Sequence, residues 1–392
     1  MVPPDMRKLR ILNIMTRLEQ GGAPLALLET VRRMTRKDFE VEIAVGKSSD
    51  PDLELLDTPL VRGVNLINID SMRRNIHPVR DLKALWQLYK VIRSKRYHLV
   101  HTHTSKAGLL GRIAARFCGV PVIIHSSHGT VLEGYFGVFA TQFFATLERL
   151  CAPLSNLLIC LTPAEINQCL EVRIGKRKQY TYIFNGIDIE DFENRHGDRE
   201  GIRRMLGLSA EDIVCIIVGR LVPVKGHTDL LLAIQDTLQR HPNVHLLIAG
   251  EGELREELEA ASTRLAIASN VHFLGWREDT AELLGASDVF VLSSHNEGLG
   301  LVLIEAMTKH LPVVATDVGG VTHVVEHDRT GLLVPPHSPK LLSVALEDLV
   351  VNPQKRHRMG EAGYERAVAQ FSIDTTVLQT EKVYRELTES ST

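Results

Sequence analysis

Cysteine is scarce in this chain and scattered: Cys118, Cys151, Cys160, Cys169 and Cys215 among 392 residues. The count is odd and the neighbours are mostly apolar, whereas a disulfide framework or a zinc site needs clustered spacing. A reducing, cytoplasmic compartment is therefore expected. The first ten residues carry charge and run into a short β-like segment without a small-residue cleavage site, so no signal peptide is expected. Long uninterrupted apolar runs are lacking as well. The strongest, residues 135–161, is broken by Glu148, Arg149 and Pro153, and a charge at a bilayer centre costs about 2.5–3.5 kcal/mol on insertion scales. A buried or interfacial helix is expected there. No repeat of fixed short period and no low-complexity segment occurs.

What is present is globular composition, 44% hydrophobic and 24% charged, over a length that suits two domains with room for a cleft between them. The net charge is only -3, yet residues 1–190 hold 26 Lys and Arg against 18 Asp and Glu, and residues 191–392 hold 19 against 30. The asymmetry suits a first half that faces something anionic, such as a phospholipid surface or a phosphorylated acceptor; simple drift of surface charge explains it equally.

An apolar run at 9–14, a loop with Gly21-Gly22 and an amphipathic stretch at 24–34 read as strand, glycine loop and helix. The alternation continues with strands at 40–45, 64–69, 98–103 and 121–125 and helices at 81–94 and 106–118. A polar, charge-dense stretch from about 188 to 210 interrupts it. It restarts with strands at 213–218, 244–249, 271–274, 289–292, 313–316 and 331–334 and helices at 253–266, 280–285 and 301–308. Alternating strands and helices predict an α/β protein with parallel, doubly wound sheets. The expected division is 1–190, 191–374 and a final helix within 375–392 that crosses back to the first domain.

Gly21 and Gly22 lie where a doubly wound domain places phosphates, although the G-x-G-x-x-G fingerprint is absent and a plain turn explains them equally. In the second half, the strand ending at Leu292 leads into Ser-Ser-His-Asn-Glu297-Gly-Leu-Gly-Leu301, and Glu305 falls in the first turns of the next helix. Two carboxylates thus flank a helix N-terminus at a sheet's C-terminal edge. The N–H groups of Gly298, Leu299, Gly300 and Leu301 suit a diphosphate or a sugar hydroxyl, and a carboxylate suits a pair of ribose hydroxyls. Arg220 and Lys225 follow the 213–218 strand and offer charge neutralisation without a metal. Taken singly, Arg220 and Lys225 are more often surface charges, and a lone Glu is a solvated one; the glycine-flanked, apolar setting of the two carboxylates favours function.

Together, Gly219-Arg220-Leu-Val-Pro-Val-Lys225-Gly226, Gly250-Glu-Gly252, Asn185-Gly186-Ile-Asp188 and the Glu297–Glu305 pair resemble the family 4 retaining glycosyltransferases over nearly the whole chain. The resemblance implies a GT-B fold, two Rossmann-like domains facing each other across a cleft. It also implies Arg220 and Lys225 as the diphosphate-binding cations, Glu297 near the donor sugar's hydroxyls, Glu305 on the ribose, residues 298–301 as backbone donors and Gly22 near the transferred sugar. His128, in His125-Ser-Ser-His128-Gly129, matches the family's active-site histidine. The stretch from His98 through His101, His103 and Lys106 to Gly108 resembles members that build bacterial surface polysaccharides. A base pocket is expected around Leu274 to Arg277, with uridine the family's commonest choice.

The expected reaction is transfer of a hexosyl or N-acetylhexosaminyl group with retained configuration, the leaving phosphate assisting the acceptor's deprotonation. No cofactor beyond the nucleotide-sugar co-substrate and no nucleic acid is expected. His101 and His103 share a strand face at metal-ligand spacing, but no further ligand completes a set and no DXD-type motif is evident, so no metal is expected. Lys106, Arg112 and Arg116, with the cluster Arg173, Lys176, Arg177 and Lys178, are read as the acceptor side, suited to a glycan or polyprenyl-diphosphate-linked acceptor at an anionic membrane. A solvated helix face explains the same charges. A nucleotide-sugar 2-epimerase and a non-catalytic nucleotide-sugar-binding protein remain as alternatives; the first would need no acceptor, the second would not turn over.

Overall fold

Strands made wholly of apolar residues, such as Ile213–Val218 with Val214, Cys215 and Ile216 fully buried, must be covered on both faces, which is the condition of a parallel sheet flanked by helices. The computed structural model describes residues 8–19, 21–48, 54–56, 58–129 and 138–390. Residues 1–7 of the N-terminal reading and 135–137 of the apolar run lie outside them.

The chain forms two compact units, one of residues 1–186 with 373–392 and one of 187–372. In chain order the first contains β1 (Leu9–Met15), α1 (Gly22–Arg33), β2 (Phe39–Val45), β3 (Asn65–Asn68), α2 (Pro78–Lys95), β4 (Leu99–His103), α3 (Ser105–Phe117), β5 (Val122–Ser126), α4 (Val138–Cys151), β6 (Leu157–Cys160), α5 (Pro163–Glu171) and β7 (Tyr180–Tyr182). All pairings are parallel, in the order β3-β2-β1-β4-β5-β6-β7. The order reverses between β1 and β4, so the loops after these two strands open the crevice where doubly wound sheets bind ligands.

The second unit runs through α6 (Ile189–Asn194), α7 (Arg199–Met205), β8 (Ile213–Val218), α8 (His227–Leu238), β9 (Val244–Ala249), α9 (Arg255–Arg264), β10 (Val271–Gly275), α10 (Thr280–Gly285), β11 (Val289–Leu292), α11 (Leu301–Thr308), β12 (Val313–Thr316), α12 (Val321–Val324), β13 (Gly331–Val334), α13 (Pro339–Val351) and α14 (Pro353–Gln370). Its sheet is parallel in the order β10-β9-β8-β11-β12-β13. Here the reversal falls between β8 and β11, at the loops that carry Arg220 and Glu297.

One expectation is refined and one corrected. The division expected at 190/191 and 374/375 falls at 186/187 and 372/373, so the polar stretch 188–210 is not a linker but the start of the second unit. Its charges are structural: Asp188 caps α6 by accepting from the Asp191 N–H, and Arg199 and Arg203 grip Asp288 at 2.6 Å each. The apolar run 135–161 is not one helix either, because α4 ends at Cys151 and Leu157–Cys160 joins the sheet as β6. Among the described residues, no helix is long and apolar enough to cross a membrane.

The last helix, α15 (Ile373–Glu389), belongs to the first unit. Ile373, Val377 and Tyr384 enter a core cluster with Ile11, Met34, Phe39 and Leu99, and the Tyr384 ring meets Phe39 edge-on at 6.3 Å. Thr376 accepts from the Gly186 N–H at 2.9 Å, and Glu381 accepts from the Thr35 N–H at 2.6 Å. Tyr384→Ala should cost about 3–5 kcal/mol, as large-to-small core truncations do. Tyr384→Phe, which keeps the ring and loses only hydrogen bonds, should cost about 1 kcal/mol. Urea unfolding of both variants measures the difference.

Candidate functional site

In the second unit the loops after β8 and β11 are fastened to each other by bare backbone. Gly226 takes a left-handed φ of 65° at the start of α8, and a Cβ there would lie 2.0 Å from the Ser293 carbonyl oxygen. The His295 N–H donates to Val224 O at 2.7 Å, and Ser293 Oγ donates to Lys225 O at 2.9 Å. This brings Lys225 Nζ to 2.5 Å from Glu297 Oε2, which also accepts from Ser294 Oγ at 3.4 Å. Arg220 is exposed and has no ion pair among the described residues.

Gly300, with φ 81°, starts α11, and no side chain caps it; the Leu303 N–H turns back to Gly300 O at 2.8 Å, which leaves the N–H groups of Leu301 and Val302 for an anion. Glu297, Gly298 and Leu301 are half-buried, and Leu299 and Gly300 are buried. Glu305 lies in the second turn; burial raises its carboxyl to about 7, against a smaller lowering by Arg195. Sequence reasoning missed the strut beneath this loop. The Gly320 N–H donates to Glu297 O at 2.9 Å, and a Cβ on Gly320 would lie 1.9 Å from the Gly298 carbonyl oxygen. The signal was present, a Gly-Gly pair just after β12.

At the end of β10, the Arg277 guanidinium forks onto Asp279 at 2.7 and 2.5 Å. Its side chain is thus engaged, and the Gly275 carbonyl accepts from the Gly250 N–H at 2.8 Å. One set at metal-ligand spacing occurs among the described residues, Asp229, His295 and His337, with Asp229 and His295 already hydrogen-bonded at 2.9 Å.

In the first unit, Gly21 precedes α1 without a side-chain cap, and a Cβ there would meet only Pro24 Cδ, at 4.0 Å, so the space above it is open. Gly22 is the first helical residue. Gln20 lies outside the described residues.

His128 is held at a left-handed φ of 57° at the head of a chain of buried polar groups. Its Nε2 is 2.8 Å from His103 Nδ1, and His103 Nε2 is 2.9 Å from Asn13 Oδ1. The Tyr384 hydroxyl lies 3.5 Å from the same oxygen and 2.7 Å from His101 Nδ1, and His101 Nε2 is 2.8 Å from Ser126 Oγ. Burial lowers the pKa of His128 to about 4 and that of His101 to about 3, and holds His103 well below the usual range. All three are neutral at pH 7, so each ring has one N–H. An amide oxygen at Asn13 obliges His103 to donate from Nε2 and accept at Nδ1. His128 must then donate from Nε2, which leaves its Nδ1 as an acceptor, with Asn185 Nδ2 at 3.5 Å. All four ring nitrogens of His101 and His103 are therefore engaged by protein groups.

The acceptor-side reading is corrected at Arg112. Its side chain is fully buried, clasps Glu148 at 2.8 Å and donates to Gly108 O at 2.8 Å, with Nη1 buried and unpartnered, so it presents no charge at the surface. Arg116, one turn on, is exposed, so the two do not form one accessible face. Lys106 is half-buried and bound to Asp81 at 2.8 Å.

Two family models match the chain, one described as Glycosyl transferases group 1 over residues 198–366 and one described as Glycosyl transferase 4-like domain over residues 21–186. UDP-Gal:alpha-D-GlcNAc-diphosphoundecaprenol alpha-1,3-galactosyltransferase of Escherichia coli is 30% identical, covering 83% of this chain and 84% of that protein. D-inositol 3-phosphate glycosyltransferase of Streptomyces avermitilis is 29% identical over 93% and 83%. Among solved structures, Anabaena Alr3699/HepE in complex with UDP-glucose superposes with a TM-score of 0.81 at 25% identity, covering 96% of this chain and 100% of that one.

Gly320→Ala should destabilise the second unit by about 1–3 kcal/mol, since its Cβ cannot fit without moving the 298 backbone. Gly285→Ala, whose Cβ meets nothing within 4 Å, should be neutral or stabilising. Thermal melts of the two variants provide the comparison.

Proposed function

Because the chain belongs to the family 4 glycosyltransferases of GT-B fold, we propose that it moves a hexosyl or N-acetylhexosaminyl group from a UDP-sugar to a hydroxyl of a glycan or polyprenyl-diphosphate-linked acceptor, retaining configuration, in surface polysaccharide synthesis. The observation that carries this reading is the uncapped start of α11 with the Lys225–Glu297 pair beside it. The similarity to a galactosyltransferase named for a diphosphoundecaprenol-linked acceptor supports the choice of acceptor.

In the proposed step the acceptor oxygen attacks the anomeric carbon on the face from which the diphosphate departs. The new C–O bond forms as the bond to phosphate breaks, and the acceptor's proton passes to the leaving phosphate oxygen. The protein's contribution is position and charge. Arg220, Lys225 and the α11 N–H groups receive the developing negative charge. Glu297 holds Lys225 in place until a diphosphate competes for it and then faces the sugar's hydroxyls. His128, with Nδ1 fixed as an acceptor, can take a hydrogen bond from a sugar hydroxyl. The work is done without a metal, in a cytoplasmic enzyme that meets the membrane only at its surface.

A thermal-shift panel of UDP-, GDP- and ADP-sugars is expected to single out the uridine donors, and the shift should vanish in Glu305→Ala. No shift with any donor would sink the reading. As the Glu305 carboxyl is poised near 7, its charged form, the one that accepts from two ribose hydroxyls, grows as pH rises. Donor affinity should therefore increase from about pH 6 to 8, and Glu305→Gln should flatten that rise. Turnover should survive a chelator, and Arg220→Ala or Lys225→Ala should each lower kcat by about 10²–10³-fold, as loss of an oxyanion-stabilising group does.

A further inference from the structure

The helix α2 keeps a second apolar face that the fold leaves uncovered. Ala84, Leu88 and Ile92 form its buried stripe. On the opposite side stand Val79, Leu82 and Trp86, exposed by 73, 68 and 55%. Phe117, 75% exposed at the end of α3, extends this surface, and a groove of about 600 Å³ between the two helices is lined by Leu82, Leu85, Trp86, Tyr89, Ala114 and Phe117. Scattered exposed apolar residues need no explanation; a contiguous apolar and aromatic patch does.

The charges around the patch have one sign. Lys83, Lys90, Arg93 and Arg116 are exposed on α2 and α3, and Lys90 Nζ sits 3.3 Å over the Trp86 ring. Asp81 is the one acid in either helix, and it is taken up by Lys106. A protein partner would have to offer an apolar ridge within an acidic rim. An anionic bilayer surface offers both at once: headgroups for the cations and the acyl boundary for Leu82, Trp86 and Phe117.

We infer that the exposed face of α2, with Phe117 of α3, is a docking surface for an anionic lipid membrane, on which the first unit lies with α2 parallel to the bilayer plane. This deepens the proposed function and rests on it for its purpose, since an acceptor on a polyprenyl carrier stays at the membrane. The contact itself depends only on these side chains.

The chain's two tryptophans are Trp86 and Trp276, so Trp276→Phe leaves Trp86 as a single reporter on the surface in question. With phosphatidylglycerol–phosphatidylcholine vesicles and neither donor nor acceptor added, its emission should shift to the blue and be quenched by brominated lipid. With phosphatidylcholine alone it should not change. Raising salt from about 0.1 to about 1 M shortens the Debye length from about 10 to about 3 Å and should weaken binding at least tenfold. Leu82→Glu with Lys90→Glu should lower the vesicle-bound fraction at least tenfold, with an unchanged melting temperature and an unchanged donor-induced thermal shift. Equal binding by wild type and double variant overturns the inference, as does no binding by wild type. A fall in solution mass on the same substitutions also overturns it, because the face would then bind a second copy of the chain. If donors give no thermal shift while vesicle binding behaves as described, the transferase reading fails and the membrane surface stands.

Discussion

Lys225 and Glu297 come from loops seventy-two residues apart in sequence, and what holds them at ion-pair distance is not the pair itself. Half-exposed ion pairs are worth little, about 1 kcal/mol or less. The register is set underneath, where Gly226 lies against Ser293 and Gly320 against Gly298 at distances that no Cβ could share. The parallel sheet brings the ends of β8 and β11 side by side, the glycines let the loops beyond those ends touch, and the charged groups are then placed by backbone. A carboxylate, an ammonium and an open helix terminus can converge there with almost no side-chain scaffolding.

The first unit solves the matching problem with side chains. His128 is oriented by a line of buried polar groups that runs from Asn185 through His128, His103, Asn13 and Tyr384 to His101 and Ser126. Neutral imidazoles are tolerated in such a place because each has one donor and one acceptor, and in His101 and His103 both are used. The result is a tautomer fixed by connectivity rather than by pH.

Much of this was legible in the sequence, for identifiable reasons. Strands such as Val289–Leu292 are unbroken apolar runs, and the loops after them carry the glycines and charges, so the fold class and the residues of those loops could be read in order. The helix α14 could not. Its buried positions are Met359, Gly360, Gly363 and Ala367, and Gly360 is needed because a Cβ would lie 2.0 Å from His310 O; a stripe of glycine and alanine gives no hydrophobic period. Arg112 and Arg116 misled because spacing shows that two residues are about a turn apart, not which of them meets a carboxylate from α4. The Tyr384–His101 contact spans 283 residues, and no local pattern announces it.

The return of the chain at Ile373 has a consequence for how the molecule is made. The second unit is continuous in sequence, whereas the first is finished only by its last helix, which brings Ile373, Val377 and Tyr384 into a core begun at Ile11. Domains tend to fold in order of synthesis, but here the first unit cannot be completed before the second has been made. The second unit can close while the first still lacks a face, and the Tyr384 hydroxyl that contacts Asn13 and His101 behind His103 arrives only after it. The buried polar line behind His128 is thus closed by a helix made after the whole second unit.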